Sequence, residues 1–435
     1  MERAWNFDKG YDVKKWKWAY LSVIYALSLF SLYNLTSFES RDRLPGIAAM
    51  LVVMALVYFG VMKPKKIWSL VNAVRGVSVT RDGTDRGTIL FITSNGAGLG
   101  HLTRVAAVAS ALRNTDYHVL TMSRGHYRSP VPRENTTYFP SYGYLGMQAL
   151  EWEMLLEQLL SALIGAYKPA QIVFDGTFIY RPVTSIARKK SIPLVWLQRG
   201  CWKPLADESS IQRHNARMFA DRVIIPGDYG CDEKIDLGPG MDPEYVDPIT
   251  LTSSSELLSR EAALSELGLD MKNGYVLVQL GAGTINDVSN IREWVENSLP
   301  SELVPVTTRN PLNPVENSHG WVEIDQYPVS RYFNAFEFSI QAGGYNSVQE
   351  SIELSLPTIF VPNTATKTDD QSKRCLGVAA KGLGLTAVDS AELTHAINLM
   401  SDSQVRAEFR RRLDATPKAN GAKQAAELIE NKSAK

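Results

Sequence analysis

A strand, a glycine turn and a helix follow one another late in the chain, and this order constrains the fold more than any other stretch. Residues 336–340 are interpreted as the tail of an apolar strand, with Phe336, Phe338 and Ile340 as its apolar members, and Gly343 and Gly344 provide the turn. Val348 and Ile352 then recur at a helical spacing. Such a unit predicts an α/β domain in which free backbone N–H groups at the helix start attract an anion.

Polar side chains are spaced along this helix and after the strand that follows it. Asn346 and Ser347 lie in the first turn, where a cap or a phosphate donor is expected, and Glu350 lies one turn later. Its carboxylate can accept both hydroxyls of a ribose whose phosphates rest on the helix start. Asp370 and Gln371, a carboxylate beside an amide, suit the vicinal hydroxyls of a sugar. The alternative is an ordinary strand-turn-helix with a fortuitous cap.

The segment AGGYNSVQE, followed by a strand, VP and DDQ, resembles the donor-binding signature of GT-B glycosyltransferases, which include MurG-like enzymes and UDP-glycosyltransferases. The resemblance implies that four residues of the turn hold the donor diphosphate: Gly343, Gly344, Asn346 and Ser347. It also implies that Glu350 binds the ribose and that Asp370 and Gln371 contact the transferred sugar. Many members place a basic residue, often His, before the glycines, but this sequence has Ala342. Another group must therefore supply that positive charge.

An earlier apolar strand, residues 88–93, runs into the loop SNGAGLGHLTR and an amphipathic helix. Its glycines lie at Gly96, Gly98 and Gly100, whereas a dinucleotide fingerprint needs the third glycine where His101 stands. The loop also lacks a Walker lysine, so it argues against NAD and ATP. It resembles the first GT-B loop, where a glycine-rich turn ending in His lines the acceptor side. At a helix start, His101 is expected to be a neutral base, and the alternative is a first-turn histidine that packs over the glycines.

Alternating strands and helices predict a mainly parallel sheet after this loop. The further strands are predicted at residues 118–122, 136–139, 171–174, 193–197 and 222–226, and a long helix at residues 147–166. Asp175 ends the third of these strands, at the edge where ligands meet such sheets. It is a candidate to orient His101 or to act as the base, or it is a simple cap. Arg104 is either a partner for acceptor phosphate or an exposed helix arginine.

A second α/β domain opens with the strand at residues 275–280 and the loop GAGTIND. Matching loops in GT-B enzymes approach the donor phosphates, which implies this role for Gly283 and Thr284. Arg309 is a candidate for the missing positive charge, although no motif supports it. Tyr327 occupies a region that contacts the base in relatives.

Composition shifts divide the chain into three parts. Residues 227–273 are rich in Gly and Pro and mark the crossing between domains. We therefore predict an N-terminal membrane segment over 1–77, an acceptor-side α/β domain over 78–250 and a nucleotide-sugar-binding α/β domain over 251–435. The predicted fold class is α/β, with two Rossmann-like parallel-sheet domains facing a cleft. Beyond Gln371 we predict helices to the end, and the resemblance implies that the last one packs on the first domain.

Two uncharged apolar runs, residues 18–38 and 44–62, precede these domains. The first spans 21 residues, enough to cross about 30 Å of hydrocarbon. Lysines outside both runs place the two ends, and the catalytic body, in the cytoplasm. A signal peptide is disfavoured because no small-residue cleavage site follows the first run. Buried core helices are disfavoured because both runs are apolar all round.

Charge and cysteine content exclude several other classes. Lys plus Arg and Asp plus Glu both total 46, which gives no electrostatic reason to expect nucleic acid. The three widely spaced cysteines predict neither a disulfide framework nor a zinc site and favour a reducing compartment. The six histidines lack metal-site spacing, so we expect no metal and no other cofactor.

These features predict a membrane-anchored glycosyltransferase that moves a hexosyl or N-acetylhexosaminyl group from a nucleotide sugar, with UDP as the first choice of nucleotide. The apolar hairpin favours a lipid-linked or glycan acceptor at the bilayer, as in cell-envelope glycan biosynthesis. An Asp-x-Asp motif after an apolar strand is missing, which disfavours a metal-dependent GT-A enzyme, and the resemblance implies an inverting reaction. The alternatives are a nucleotide-sugar hydrolase on the same fold and a non-catalytic subunit that anchors a transferase.

Overall fold

The computed structural model describes residues 87–94, 98–281, 288–309, 321–418 and 420–433. The membrane hairpin predicted within residues 1–77 lies outside these ranges, and so do Gly283 and Thr284. Within them, no helix combines the length and apolar character needed to cross a bilayer.

The first sheet is built from buried apolar strands. These are β1 (Thr88–Thr93), β2 (Asp116–Thr121), β3 (Thr136–Tyr138), β4 (Gln171–Asp175), β5 (Leu194–Leu197), β6 (Arg222–Pro226) and β7 (Glu244–Val246). In the described chain their order is β3-β2-β1-β4-β5-β6-β7, with every pair parallel. All of β1 is buried, as a parallel sheet covered on both faces requires. The predicted strands are confirmed, while β7, within the Gly/Pro-rich crossing, was not predicted.

The second sheet repeats this design. Its strands are β8 (Gly274–Gln279), β9 (Leu303–Thr308), β10 (Val322–Ile324), β11 (Phe338–Ala342), β12 (Thr358–Val361) and β13 (Leu385–Thr386). Among the described residues they pair in parallel in the order β10-β9-β8-β11-β12-β13. The prediction that the chain is helical throughout beyond Gln371 is wrong at β13, because these two residues pair with β12 and extend the sheet.

Helices connect the strands and continue past the last one. They are α1 (Gly100–Ser110), α2 (Tyr142–Leu145), α3 (Ala149–Tyr167), α4 (Arg181–Lys189), α5 (Pro204–Glu208), α6 (Ile211–His214), α7 (Arg260–Leu267), α8 (Val288–Ser298), α9 (Tyr345–Glu353), α10 (Gln371–Ala380), α11 (Ser390–Ser401), α12 (Ser403–Ala415) and α13 (Gly421–Ser433). Short 3₁₀ turns cover His126–Arg128, Arg133–Asn135, Ala216–Met218, Ser254–Glu256 and Val329–Ala335. We call the first sheet with the helices packed on it the first lobe, and the second sheet with its helices the second lobe.

Residues Phe139–Ala166 belong to a different compact unit from the two sheets. Within this unit the Trp152 indole donates to the Pro140 carbonyl at 2.7 Å and lies 5.6 Å from the Phe139 ring. The leucines at 156, 159, 160 and 163 are buried. The leucine-rich face of α3 is therefore buried.

The last helix completes the core of the first lobe. Ala425 and Ile429 of α13 are fully buried in the same cluster as Leu102 and Val105 of α1. Burying a side chain of the size of Ile, Leu or Val stabilises the fold by about 1.5–3 kcal/mol. The Glu430 carboxylate also accepts backbone N–H groups after α1, at 2.7 Å from Asn114. The packing of the terminal helix on the first domain, which the resemblance implied, is confirmed.

Two cysteines are paired against expectation. Cys201 and Cys231, separated by 30 residues, are joined by a disulfide. Each follows one of the neighbouring strands β5 and β6, so the loops after these strands meet. Cys375 is free and buried. The prediction of no disulfide is wrong here because sequence spacing carries no information on which strand-end loops are neighbours.

Candidate functional site

A cavity of about 640 Å³ is lined by residues that follow strands of both sheets. From the first lobe come His101, in the first turn of the helix after β1, and Arg199, in the loop after β5. Gly281, Gly344 and Lys367 come from the loops after β8, β11 and β12 of the second. Ligands bind parallel sheets at this edge, and the volume is typical of a small-molecule site.

The first-lobe side of the cavity carries a histidine–aspartate pair. Asp175 ends β4 directly beside Thr93, the last residue of β1, and α1 begins one loop later with His101 in its first turn. His101 Nδ1 and Asp175 Oδ1 are 2.6 Å apart. Because the carboxylate only accepts, Nδ1 carries the proton and donates it, which leaves the lone pair of Nε2 unprotonated. The two predicted candidates are therefore in contact.

Arg104 completes this pair from one turn further along α1. Its Nε donates to Asp175 Oδ2 at 2.7 Å and its Nη2 donates to Oδ1 at 2.5 Å. The side chain is 3% exposed, so the reading as a solvent-exposed helix arginine is wrong. The spacing of three residues places Arg104 beside His101 on one helix face, where both reach the same carboxylate.

The charges in this cluster are set by burial and by one another. Burial lowers the pKa of His101, and the nearby Arg104 guanidinium opposes the raising effect of Asp175. Burial alone would raise the pKa of Asp175, but Arg104 and the His101 hydrogen bond hold it below its ordinary value. At neutral pH the site therefore holds a carboxylate and a neutral imidazole, which is the state a general base needs.

The glycine turn of the second lobe begins α9. Gly344 lines the cavity, whereas Gly343 is buried against α10: a Cβ there would lie 2.3 Å from Cys375 Sγ. Asn346 and Ser347 both line the cavity in the first turn of α9. The Asn346 side chain also donates to the carbonyl of Gly100, at 3.0 Å. This contact joins the two glycine loops across the cavity.

Glu350 lies one turn further along α9 and lines the same cavity. It is hydrogen-bonded by the Ser330 side chain and the backbone N–H of Leu251. Burial nevertheless raises the pKa of Glu350 to about 7. A carboxylate that is this poorly solvated is suited to accept hydroxyl donors from a ligand.

The two acidic residues after β12, Asp369 and Asp370, have different roles. Asp370 caps α10, because its carboxylate accepts from the backbone N–H of Lys373 at 3.0 Å, and it does not line the cavity. Asp369 and Gln371 do line the cavity. Burial opposes ionisation of Asp369, but Arg199 and Arg374 lower the pKa of its carboxyl to about 2.

Arg199 and Asp369 belong to a buried charge network that the sequence did not indicate. Arg199 lies 3.0 Å from Asp369, which also accepts from Arg374 at 2.9 Å. Arg374 then donates to Asp228 at 2.6 Å. The strand-end position of Arg199 after β5 is the one sequence signal that points to the site. Its partner was unpredictable because it lies in the other lobe.

Tyr327 and the first glycine loop lie on the cavity wall. The Tyr327 hydroxyl is 2.6 Å from the hydroxyl of Thr103, across the two lobes, and burial raises the pKa of this phenol. Gly98 and Gly100 line the cavity as well. Arg309 lines it but donates to Glu323 at 2.8 Å, so part of its charge is already neutralised.

Metal-binding geometry is not found in the part of the chain that the structure describes. There, no group of three or more His, Cys, Asp or Glu side chains converges on a point that a metal ion could occupy.

Comparison with known proteins identifies the architecture. No protein-family model and no curated protein sequence matches the chain. Among solved structures it is similar to a Polygonum tinctorium UDP-glucosyltransferase capable of glucosylating indoxyl, with a TM-score of 0.56 and 14% identity over 81% of this chain and 100% of that one. It is also similar to the spinosyn forosaminyltransferase SpnP (TM-score 0.55, 12% identity, 81% and 100% covered). The calicheamicin glycosyltransferase CalG4 is a third such structure (TM-score 0.52, 14% identity, 80% and 98% covered). The predicted GT-B fold of two parallel-sheet domains is therefore confirmed.

Proposed function

We propose that this protein is a glycosyltransferase that moves a sugar from a nucleotide donor to an acceptor hydroxyl with inversion at the anomeric carbon. One observation carries the proposal. His101, which is paired with the buried Asp175, lines the same cavity as the start of α9 and Glu350. A base and an anion-binding helix start on opposite sides of one cavity are what sugar transfer requires.

The chemistry is a single displacement. His101 Nε2 takes the proton of the acceptor hydroxyl, and that oxygen forms a bond to the anomeric carbon. The bond from this carbon to the phosphate oxygen breaks on the opposite face, and its electron pair leaves with the diphosphate. Backbone N–H groups at the start of α9 stabilise the charge that develops there. Asp175 stabilises the imidazolium that forms during the step.

The substrates follow from the site and from the amino-terminal sequence. Glu350 binds the ribose of the donor, for which UDP is our first choice, while Asp369 and Gln371 hold the transferred sugar, and no metal is required. The apolar runs at residues 18–38 and 44–62 favour an anchor with the catalytic lobes on the cytoplasmic side. The acceptor is then a lipid-linked saccharide or a glycan at the bilayer.

The test is transfer by the purified full-length protein in detergent. Radiolabelled UDP-, TDP- and GDP-sugars are each incubated with extracted lipids, and labelled lipid is separated by thin-layer chromatography. We expect transfer from one donor class, and a loss of about 10²- to 10⁴-fold in kcat for His101→Ala.

The matched control is His395→Ala, which removes an exposed histidine of α11 outside the cavity. It should retain wild-type activity. Release of free sugar without any lipid identifies a hydrolase instead. Full activity of the His101→Ala variant, or no turnover with any donor, contradicts the proposal.

A further inference from the structure

The negative charge of a bound donor diphosphate has to be balanced by residues of the cavity. A donor diphosphate brings negative charge to the start of α9, and Ala342 supplies no positive charge before the glycine turn. The helix start alone contributes roughly half a positive charge. A further cation is therefore needed near this end of the cavity, and the inference below rests on the proposed function.

Most cations on the cavity wall are already neutralised. In the described chain five lysine and arginine side chains line it: Arg104, Arg128, Arg199, Arg309 and Lys367. The arginines each have a carboxylate partner. The pairs are Arg104 with Asp175, Arg128 with Asp325, Arg199 with Asp369, and Arg309 with Glu323. Among the described residues Lys367 has no such partner, so it is the cation with charge to offer a ligand.

The strand register places the start of the loop that carries Lys367 beside the position where the charge is missing. Ala342 at the end of β11 pairs with Val361 at the end of β12, and the Gly343 N–H donates to the Val361 carbonyl at 3.2 Å. The loop that carries Lys367 starts at this point and lines the same cavity as Gly344. A lysine side chain can therefore approach the helix start from the neighbouring loop.

The backbone on both sides of Lys367 is held in place. The Lys203 ammonium donates to the Thr364 carbonyl at 2.7 Å, and the Lys203 N–H donates to the Thr368 carbonyl at 2.8 Å. The Thr366 hydroxyl donates to the Asp369 carbonyl at 2.7 Å. The loop is thus ordered before a ligand arrives, and the exposed Lys367 side chain is left free to bind.

We propose that Lys367 binds the diphosphate of the nucleotide-sugar donor and supplies the positive charge that relatives place before the glycine turn. Its ammonium group is a compact charge on a flexible side chain, so it can stay in contact with the phosphate as the leaving group forms. It acts on the donor and not on the acceptor.

Isothermal titration calorimetry with UDP, TDP, GDP and uridine tests this assignment on the full-length protein. We expect Lys367→Gln to weaken the preferred diphosphate by about 10- to 100-fold. Uridine lacks phosphates, so its affinity should be unchanged by Lys367→Gln. Lys367→Arg should restore most of the diphosphate affinity. The wild type should lose diphosphate affinity with added salt more steeply than Lys367→Gln does.

Lys373→Gln is the matched control. It removes the same charge six residues away, from a side chain that is paired with Glu233 and does not line the cavity. It should leave diphosphate binding unchanged.

Unchanged diphosphate affinity in Lys367→Gln, or an equal loss for uridine and diphosphate, overturns the assignment of Lys367. That result leaves sugar transfer by His101 intact. If the wild type binds none of the diphosphates, the proposed function and this inference fail together.

Discussion

The two walls of the cavity differ in how far their charged groups are paired with one another. On the first-lobe wall, His101, Arg104 and Asp175 satisfy one another, and their protonation states are fixed before any ligand arrives. On the second-lobe wall, Glu350 is held near its titration point and Lys367 has no carboxylate partner among the described residues. The comparison suggests that the base is preorganised, whereas the donor side is completed by the donor's own hydroxyls and phosphates.

The largest effect is expected from a substitution of Asp175 in the first-lobe wall. Asp175→Asn preserves shape but no longer fixes the His101 tautomer, so kcat should fall by about 10²- to 10⁴-fold. Asp175 raises the pKa of His101 while Arg104 lowers it. Residual activity should therefore persist to lower pH than in the wild type. The measurement is the pH profile of kcat, with UDP affinity as the check on folding. An unchanged acid limb would mean that Asp175 has only a structural role.

A smaller effect is expected on the donor wall. Glu350 binds ribose as a carboxylate, so wild-type donor KM should fall as pH rises through about 7, the pKa of this group. Glu350→Gln should raise KM by about tenfold at pH 8, consistent with loss of a hydrogen bond to a charged group, and should abolish the pH trend. Initial rates at pH 6, 7 and 8 measure this. A pH trend that survives in the variant would assign it to another group.

The same substitution should stabilise the protein. A carboxyl whose pKa is raised on folding contributes stability below its unfolded value of about 4.5, and this contribution is lost as pH rises through about 7. Glu350→Gln should therefore raise the melting temperature at pH 8 and change it little at pH 5. The exposed Glu427→Gln of α13 is the control and should do neither.

The smallest effect concerns the contact between the two walls. Tyr327→Phe removes the 2.6 Å hydrogen bond to Thr103, which should lower kcat/KM by about 2- to 10-fold. Tyr327 also faces the donor site, so the single variant does not isolate the contact. A double-mutant cycle with Thr103→Val does. Fully additive losses would show that the hydroxyl pair does not couple the lobes.

The fold was predictable because buried parallel strands read as continuous apolar runs. β1 was predicted at residues 88–93 and lies at Thr88–Thr93. The three-residue β7 and two-residue β13 were missed, since strands this short pair only because longer neighbours present an open edge.

The site was predictable where topology alone decides proximity. His101 and Asp175 follow adjacent strands, so their contact follows from sheet order. The role of Arg104 was ambiguous because helical spacing indicates the helix face on which a residue lies, but not the residue that it contacts. The pairing of Arg199 with Asp369 required the docking of one lobe on the other. Two neighbouring aspartates offer the same chemistry, and only the turn before α10 determines that Asp370 caps while Asp369 faces the cavity.

The return of α13 to the first lobe has a consequence for biosynthesis. The side chains of Ala425 and Ile429 fill a core whose members outside α13 are encoded more than 170 residues earlier. During translation, the strands of that lobe leave the ribosome long before the segment that seals them. The lobe begun first is therefore among the last parts to be finished, and a premature stop before Gly421 would leave its apolar surface open to chaperones and proteases.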